Sequence, residues 1–307
     1  MQATPLTPIA ETAAPVVIKT RPSRIAAFFG FLGHNPKLVV GSLMLLLLLG
    51  IAFIGPHVID ASLSSPMSVR PDQSPNRDRL FGTDSQGRDM LALLVRGIPL
   101  TLQIGFLAGG IGLLIGTILG FVSGYAGGAV DVIIRSAADI MLTVPGLLVL
   151  IVIASSVEGF VSIQIIALVV ALLSWMWPTR TIRSQVLTLR KRPFVEMAKL
   201  NGMNSWQIII KELIPNLLPF LAASFVGAVG SAILACIGLE ALGLGPQDQP
   251  TLGMTIYWSI YYSSLLRGLW WWWAVPVGAI VILFVSLFLI TSALDEIANP
   301  RLRKAAA

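Results

Sequence analysis

Six long apolar segments restrict what this chain can fold into. They lie at 38–57, 98–123, 137–157, 161–178, 214–237 and 271–293. A helix rises about 1.5 Å per residue, so about 20 residues cross the roughly 30 Å of hydrocarbon in a bilayer. Lipid cannot satisfy an open backbone, which leaves helices and closed barrels as spanning structures. We therefore predict an all-α integral membrane protein with six transmembrane helices.

The composition supports this class and argues against others. Charged residues make up 12% of the chain, whereas soluble domains carry about 25%. The basic pI of 9.8 is of the kind seen in nucleic-acid-binding proteins, but the basic residues flank apolar segments, as membrane orientation requires. We predict contact with membrane lipid and none with nucleic acid. Cys236, His34 and His57 are the only cysteine and histidines, which leaves little for metal or acid–base chemistry.

The Lys and Arg residues orient the chain. Of 21 in total, the six in segments predicted to lie outside are Arg70, Arg77, Arg79, Arg88, Arg96 and Arg267. The excess of the others on the opposite side places both termini in the cytoplasm. The predicted parts are a cytoplasmic tail (1–33), a first helix with an extracytoplasmic loop (34–97), a main transmembrane domain (98–293) with a cytoplasmic coupling loop (179–213), and a second cytoplasmic tail (294–307). Residues 25–32 fit either a short interfacial helix or part of a disordered tail.

Small and aromatic residues indicate how the helices pack. Glycine recurs every four residues in the second segment, at Gly112, Gly116, Gly120 and Gly124, after Gly105 and Gly109. One glycine-lined face lets another helix approach closely, either in static packing or in sliding. Trp270–Trp273 fit an aromatic belt, although four adjacent rings must place at least one against protein or the translocation path, where stacking on a sugar is an option. Pro145 and Pro276 should bend their helices.

A polar segment between the fourth and fifth apolar segments predicts a helical elbow. Pro193 suits the first turn of a helix, and Gly202 can take the left-handed conformation that ends it. Asn204 or Ser205 can cap the helix that follows. The chain has no G-x-x-x-x-G-K-[ST] phosphate loop, so an ATPase partner would have to drive such a lever. An ordinary amphipathic loop is the plain alternative.

Two motifs carry a resemblance to a known family. Glu196, Ala198, Gly202 and Pro215 form the pattern E-x-A-x3-G-x12-P, which resembles the coupling loop of bacterial ATP-binding-cassette (ABC) importer permeases, with Met197 in place of the middle alanine. The outer loop carries Gly82, Thr83, Asp84, Gly87, Arg88 and Asp89. This segment is similar to the F/L-G-T-D-x-x-G-R-D signature of C-type subunits in the dipeptide/oligopeptide permease branch. The resemblance covers about residues 30–304.

The resemblance implies a fold, partners and a role. The fold is a type I ABC importer transmembrane domain, which is MetI-like, in the bacterial inner membrane. The implied partners are a homologous B-type permease that completes a heterodimer, two ATPase subunits and an extracytoplasmic solute-binding protein. This chain would be no enzyme and would hold no cofactor, because ATP and Mg belong to the ATPases. Glu196, Met197, Ala198 and Gly202 would couple to them. The outer signature is either a charge-paired structural element or a gating or binding-protein contact.

The sequence leaves the substrate open. Relatives in this branch carry peptides, oligosaccharides or nickel, and Cys236–Gly245 departs from the usual pattern after the fifth segment, which favours oligosaccharides without deciding. An ion-coupled secondary transporter would need carboxylates at mid-membrane, and the segments lack charge at their centres. An intramembrane enzyme would have to use Asp131 and Asp139, for which no further catalytic partner is present.

Overall fold

A computed structural model of the protein describes residues 35–156 and 161–298. The predicted tail at 1–33, the possible helix at 25–32 and the residues after 298 lie outside this range. Within it the chain is helical, apart from loops and one isolated bridge between Thr83 and Asp89. The contacts among its helices lie in the compact unit that begins at Lys37.

Ten helices, numbered in chain order, occupy the described ranges. They are α1 Pro36–Val58, α2 Met90–Ala126, α3 Gly128–Thr143, α4 Gly146–Ser155, α5 Ile163–Ser174, α6 Met176–Leu189, α7 Pro193–Leu200, α8 Ser205–Ala241, α9 Leu252–Tyr261 and α10 Trp270–Ala298. A 3₁₀ turn at Ala61–Ser64 precedes the outer loop. A π-helical turn at Ile209–Leu213 lies inside α8.

Four of the six predicted spans are continuous helices, and the other two correspond to bent pairs of helices. Helices α1, α2, α8 and α10 are each long and apolar enough to cross a membrane. The pairs α3–α4 and α5–α6 meet at 83° and 42° and qualify as broken spans. Pro145 stands at the first break, as predicted. Pro276, in contrast, lies within α10, which continues without interruption.

The second break has a local cause that the sequence analysis missed. Pro178 has no N–H to give to the carbonyl of Ser174, four residues earlier, and its ring crowds that carbonyl. Helix α5 accordingly ends at Ser174 and α6 begins at Met176. Helix α6 continues to Leu189, through the first part of the coupling loop predicted at 179–213, where no helix was expected.

Helix α2 is the central packing element of the fold. A Cβ at Gly105 would lie 2.3 Å from Ile233 Cγ1 on α8, and one at Gly109 would lie 2.7 Å from Val229 N. The later part of α2 packs against the bent pair α5–α6. A Cβ at Gly112 would lie 2.4 Å from Ser174 Cβ, and at Gly116, Gly120 and Gly124 similar contacts follow with α6 and the residue before it. Larger residues on α2 would therefore separate the helices.

Candidate coupling elbow and outer loop

The elbow at 193–213 is built from local signals. Pro193 opens α7, and Gly202 ends it with φ +76°, so both predictions are confirmed. Asn204 then caps α8 by accepting from the Gln207 N–H, and its own N–H donates to the Gln207 side-chain oxygen. This reciprocal capping box satisfies two otherwise free N–H groups at the start of α8. The elbow is therefore an ordered turn between two capped helices.

One face of the elbow is anchored to the helices behind it. Val195 and Ala198 on α7 are buried together with Ile208 and Leu213 on α8, in a cluster that includes Ile182 of α6. Fully burying one such side chain contributes about 1.5–3 kcal/mol. The elbow is therefore packed against α6 and the first part of α8.

The opposite face is left open. Met197 is 57% exposed, Leu200 81% and Trp206 69%. Glu196 and Lys199 also point away from the core and make no side-chain hydrogen bond or ion pair within the described ranges. Of the four residues that the motif selects, Glu196 and Met197 lie on this open face. Ala198 is buried beneath it, and Gly202 forms the turn.

Ion pairs join the elbow's supporting helices. Arg183 on α6 makes a bidentate pair with Asp131 on α3, to which Ser123 of α2 also donates. Bidentate pairs of this kind fix both distance and orientation. Arg190 Nη1 donates to the carbonyls of Gly124 and Tyr125, at 3.1 and 2.9 Å, and so closes the end of α2.

The second acid considered for an enzyme is also paired. Asp139 lies 3.4 Å from Arg180 Nη1. Because Asp131 and Asp139 each have an arginine partner, their contacts are those of structural ion pairs. No group of three or more His, Cys, Asp or Glu residues within the described residues could hold a metal ion.

In the outer loop, Asp84 is the organising residue. Its carboxylate is fully buried, pairs with Arg88 Nε at 2.7 Å and accepts from the backbone N–H groups of Gln86 and Arg88. Burial raises the pKa of this carboxyl, while the Arg88 guanidinium and the two N–H groups act in the opposite direction. The Arg88 pair thus offsets the cost of burying a charge.

The rest of the signature fixes the loop to the start of α2. Asp89 caps α2 through the N–H groups of Leu91 and Ala92, and Arg79 lies 3.2 Å from its other oxygen. Gly82 and Gly87 have φ values of +70° and +71°. A Cβ at either position would lie within 2.6 Å of a backbone oxygen.

The outer loop is also attached to the start of α10, which sequence reasoning missed. Trp271 Nε1 donates to the Thr83 carbonyl at 3.0 Å, and Arg267 pairs with Asp72. Trp272 is fully buried, whereas Trp270 is 57% exposed. The prediction that the tryptophan run turns at least one ring towards protein is confirmed. The rings of Trp271 and Trp272 are therefore packed against residues of this chain.

Comparison with known proteins identifies the family. A family model described as binding-protein-dependent transport system inner membrane component matches residues 112–304. The chain belongs to this family of inner-membrane transport components. It is therefore a multi-pass inner-membrane transport subunit, and the predicted C-type resemblance is confirmed by its relatives.

The relatives of this transport component carry permease names. It is 34% identical over 220 residues to the dipeptide transport system permease protein DppC of Alkalihalophilus pseudofirmus, covering 71% of each chain. It is 30% identical to DppC of Bacillus subtilis, covering 89% of this chain and 84% of that one. The glutathione transport system permease protein GsiD of Pectobacterium atrosepticum is 29% identical over 68% of this chain and 69% of its own.

A solved structure shares the fold. A chain from inward-facing conformations of the MetNI methionine ABC transporter superposes with a TM-score of 0.52 at 22% identity. The match covers 69% of this chain and 97% of that one. The predicted MetI-like transmembrane fold is thereby confirmed.

Proposed function

We propose that this transport component is one of two permease subunits in an ATP-driven importer that receives peptides from an extracytoplasmic binding protein. The observation that carries the proposal is the elbow, which is anchored on one face and open on the other. An ordered helix with exposed Met197, Leu200 and Trp206 suits a groove on a partner protein. The partner that fits is an ATPase subunit, which binds ATP and Mg and supplies the hydrolysis that this chain does not.

The packing supports a lever mechanism. ATP binding closes the ATPase pair and displaces the elbow, and Val195, Ala198 and Leu213 carry that displacement into α6 and α8. The spans then rock between inward-open and outward-open states. Moving such an equilibrium from 1:99 to 99:1 takes about 5.5 kcal/mol of differential binding. In this mechanism both termini and the elbow lie on the cytoplasmic side, and the outer loop faces the binding protein.

A cavity supplies this chain's part of the path. It has a volume of about 530 Å³ and lies between α4, α5, α6, α8 and the end of α10. Leu147, Trp177 and Phe220 give it apolar walls, and Ser231 and Asp295 add polar groups. Such a mixed lining accommodates peptides with apolar side chains. The second permease, the B-type partner that the family resemblance implies, would complete the channel.

Peptides are the substrate class that the relatives' names favour, since these name dipeptides, oligopeptides and glutathione. Oligosaccharides and nickel are the alternatives within this branch. Ligand screens on the co-purifying binding protein will separate the three classes. An ion-coupled secondary transporter is the remaining alternative, and it would purify without an ATPase.

The test is purification of the tagged chain from its native membranes, with the Met197→Ser/Leu200→Ser double variant beside the native protein. Both side chains are exposed, so the variant should keep its stability within about 0.5 kcal/mol. It should lose ATPase subunits at least about fivefold, corresponding to an interface loss above about 1 kcal/mol. Met67→Ser, at a 90% exposed position in the outer loop, is the matched control. Equal ATPase recovery in the double variant would remove the elbow from the docking surface.

A further inference from the structure

Glu240 is a buried acid that the transport mechanism does not use. It lies near the end of α8 and has no exposed surface. Neither carboxyl oxygen makes a hydrogen bond of good geometry within the described structure. The polar groups that face it are the Cys236 thiol, the Thr251 hydroxyl and the Gly253 N–H. A buried polar group without a well-formed partner calls for a functional explanation.

The loop after α8 is shaped around this side chain. A Cβ at Gly253 would lie 2.2 Å from Glu240 Oε2, and one at Gly245 would lie 2.7 Å from Glu240 Cγ. These glycines belong to α9 and to the loop at 242–251, which together cover the carboxyl. The two glycines thus leave room for the Glu240 side chain, although the residues that cover it form no hydrogen bond of good geometry with it.

The cover lies at the outer-loop end of the molecule. The N–H of Leu252, in the first turn of α9, donates to Thr101 Oγ1 on α2, at 3.0 Å. A Cβ at Gly97, near the start of α2, would lie 2.5 Å from the Pro250 carbonyl. Because α2 starts directly after the outer loop, Glu240 faces the side of the membrane to which that loop belongs.

Among the residues that the structure describes, no positive charge compensates this acid. On α8 itself only Cys236 faces it. On the cover, Asp248 is exposed and bonds to Gln249, and the Tyr257 ring of α9 packs on Gly243. On α2 the nearest cation, Arg96, is exposed and donates to Ser64. Helices α4 and α5 bring no titratable side chain against α8, and α10 brings none before Asp295.

We propose that Glu240 is a proton-binding site that is loaded while the 242–251 loop and α9 cover it and that releases its proton when they lift away. Burying an unpaired carboxylate costs several kcal/mol, so the covered side chain is the neutral acid. Once uncovered, the side chain meets water and loses its proton to the outer solution. No other reactant is needed.

A conformational consequence follows, which rests on the proposed function. If outward opening uncovers Glu240, the covered state holds one more proton than the open state. Low outer pH therefore favours the covered state and high outer pH favours opening. One proton changes the equilibrium by up to about tenfold per pH unit.

The proton itself is tested without transport. Infrared spectra of the purified native chain in lipid nanodiscs at neutral pH should contain the C=O stretch of a protonated carboxyl. The same band should be absent from the spectrum of Glu240→Gln. Asp248→Asn, on the exposed part of the same loop, should leave that band in place. Glutamine keeps the shape of the neutral acid, so the fold is retained. A spectrum without the band, or with a band that survives in Glu240→Gln, overturns the proton site.

The coupling is tested in the full complex. In the native complex, ATPase activity stimulated by the binding protein should depend on outer pH. Glu240→Gln removes one linked proton, so this dependence should weaken by up to about tenfold per pH unit. Asp248→Asn should retain the native profile. An infrared band that is present together with an unchanged pH profile overturns the coupling and keeps the proton site. Absence of any ATPase in the complex would instead overturn the proposed function.

Discussion

The outer loop and the coupling elbow show opposite uses of polar and apolar residues. In the outer loop, charged side chains turn inward and pair, as Asp84 does with Arg88, and the loop is bonded to both α2 and α10. In the elbow, apolar side chains hold the inner face, while charged and apolar residues alike are left without partners outside. The outer loop thus pairs its buried carboxylates with arginines of the same loop, and these contacts stabilise the loop itself. The elbow instead leaves its outer face to solvent, and under the proposed function this is the face that a partner protein covers.

The largest effect should come from breaking the buried pair in the outer loop. Arg88→Met leaves Asp84 buried without a counter-charge, which costs about 3–5 kcal/mol. Amide hydrogen exchange at 82–89 should therefore rise sharply. Arg77→Met, at an exposed position with no side-chain bond in the described part of the loop, is the control. Unchanged exchange in Arg88→Met would show that the pair does not hold the loop.

A smaller but functionally severe effect is expected in the elbow. Gly202→Val places a β-branched residue at φ +76°, at a cost of about 1–2 kcal/mol. Transport and ATPase stimulation should fall while the spans stay inserted. Gly202→Asn should retain most of both, since asparagine tolerates this conformation. If valine and asparagine behave alike in a coupled ATPase assay, backbone freedom at this turn is not what the lever needs.

The smallest effect is expected where the outer loop meets α10. Trp271→Phe keeps most of the ring but removes the donor to the Thr83 carbonyl, a loss of about 0.5–1.5 kcal/mol. Thermal unfolding of the detergent-solubilised chain should shift down slightly, with faster exchange around 82–89. Trp270→Phe, on a mostly exposed ring, should change neither. A larger shift for Trp270 than for Trp271 would contradict the attachment.

The features that were predicted correctly from the sequence are those that neighbouring residues determine. Span length follows from apolar runs, and the elbow follows from Pro193, Gly202 and Asn204, whose backbone preferences act within a few residues. The contacts missed join distant segments. The Trp271–Thr83 bond spans 188 positions, and no pattern near either residue announces it.

The burial of Glu240 is another feature that depends on contacts the sequence analysis did not predict. It lies three residues beyond the predicted end of the fifth span, where an acid would ordinarily meet water. Its burial arises from Gly245 and Gly253, which fold back over it. The expectation that spans lack buried charge at their centres still agrees with the described helices, because this acid lies at the end of α8.

The glycine face of α2 has a consequence for how the protein is made. The residues that pack on it include Ser174 and Val186 on one side and Val229 and Ile233 on the other, and they are synthesised about 60 to 130 residues after it. The helix therefore enters the bilayer before the surfaces that fill its groove exist. Until α8 has been synthesised, the side of α2 that packs on Val229 and Ile233 has no partner from this chain, so this interface forms late in assembly.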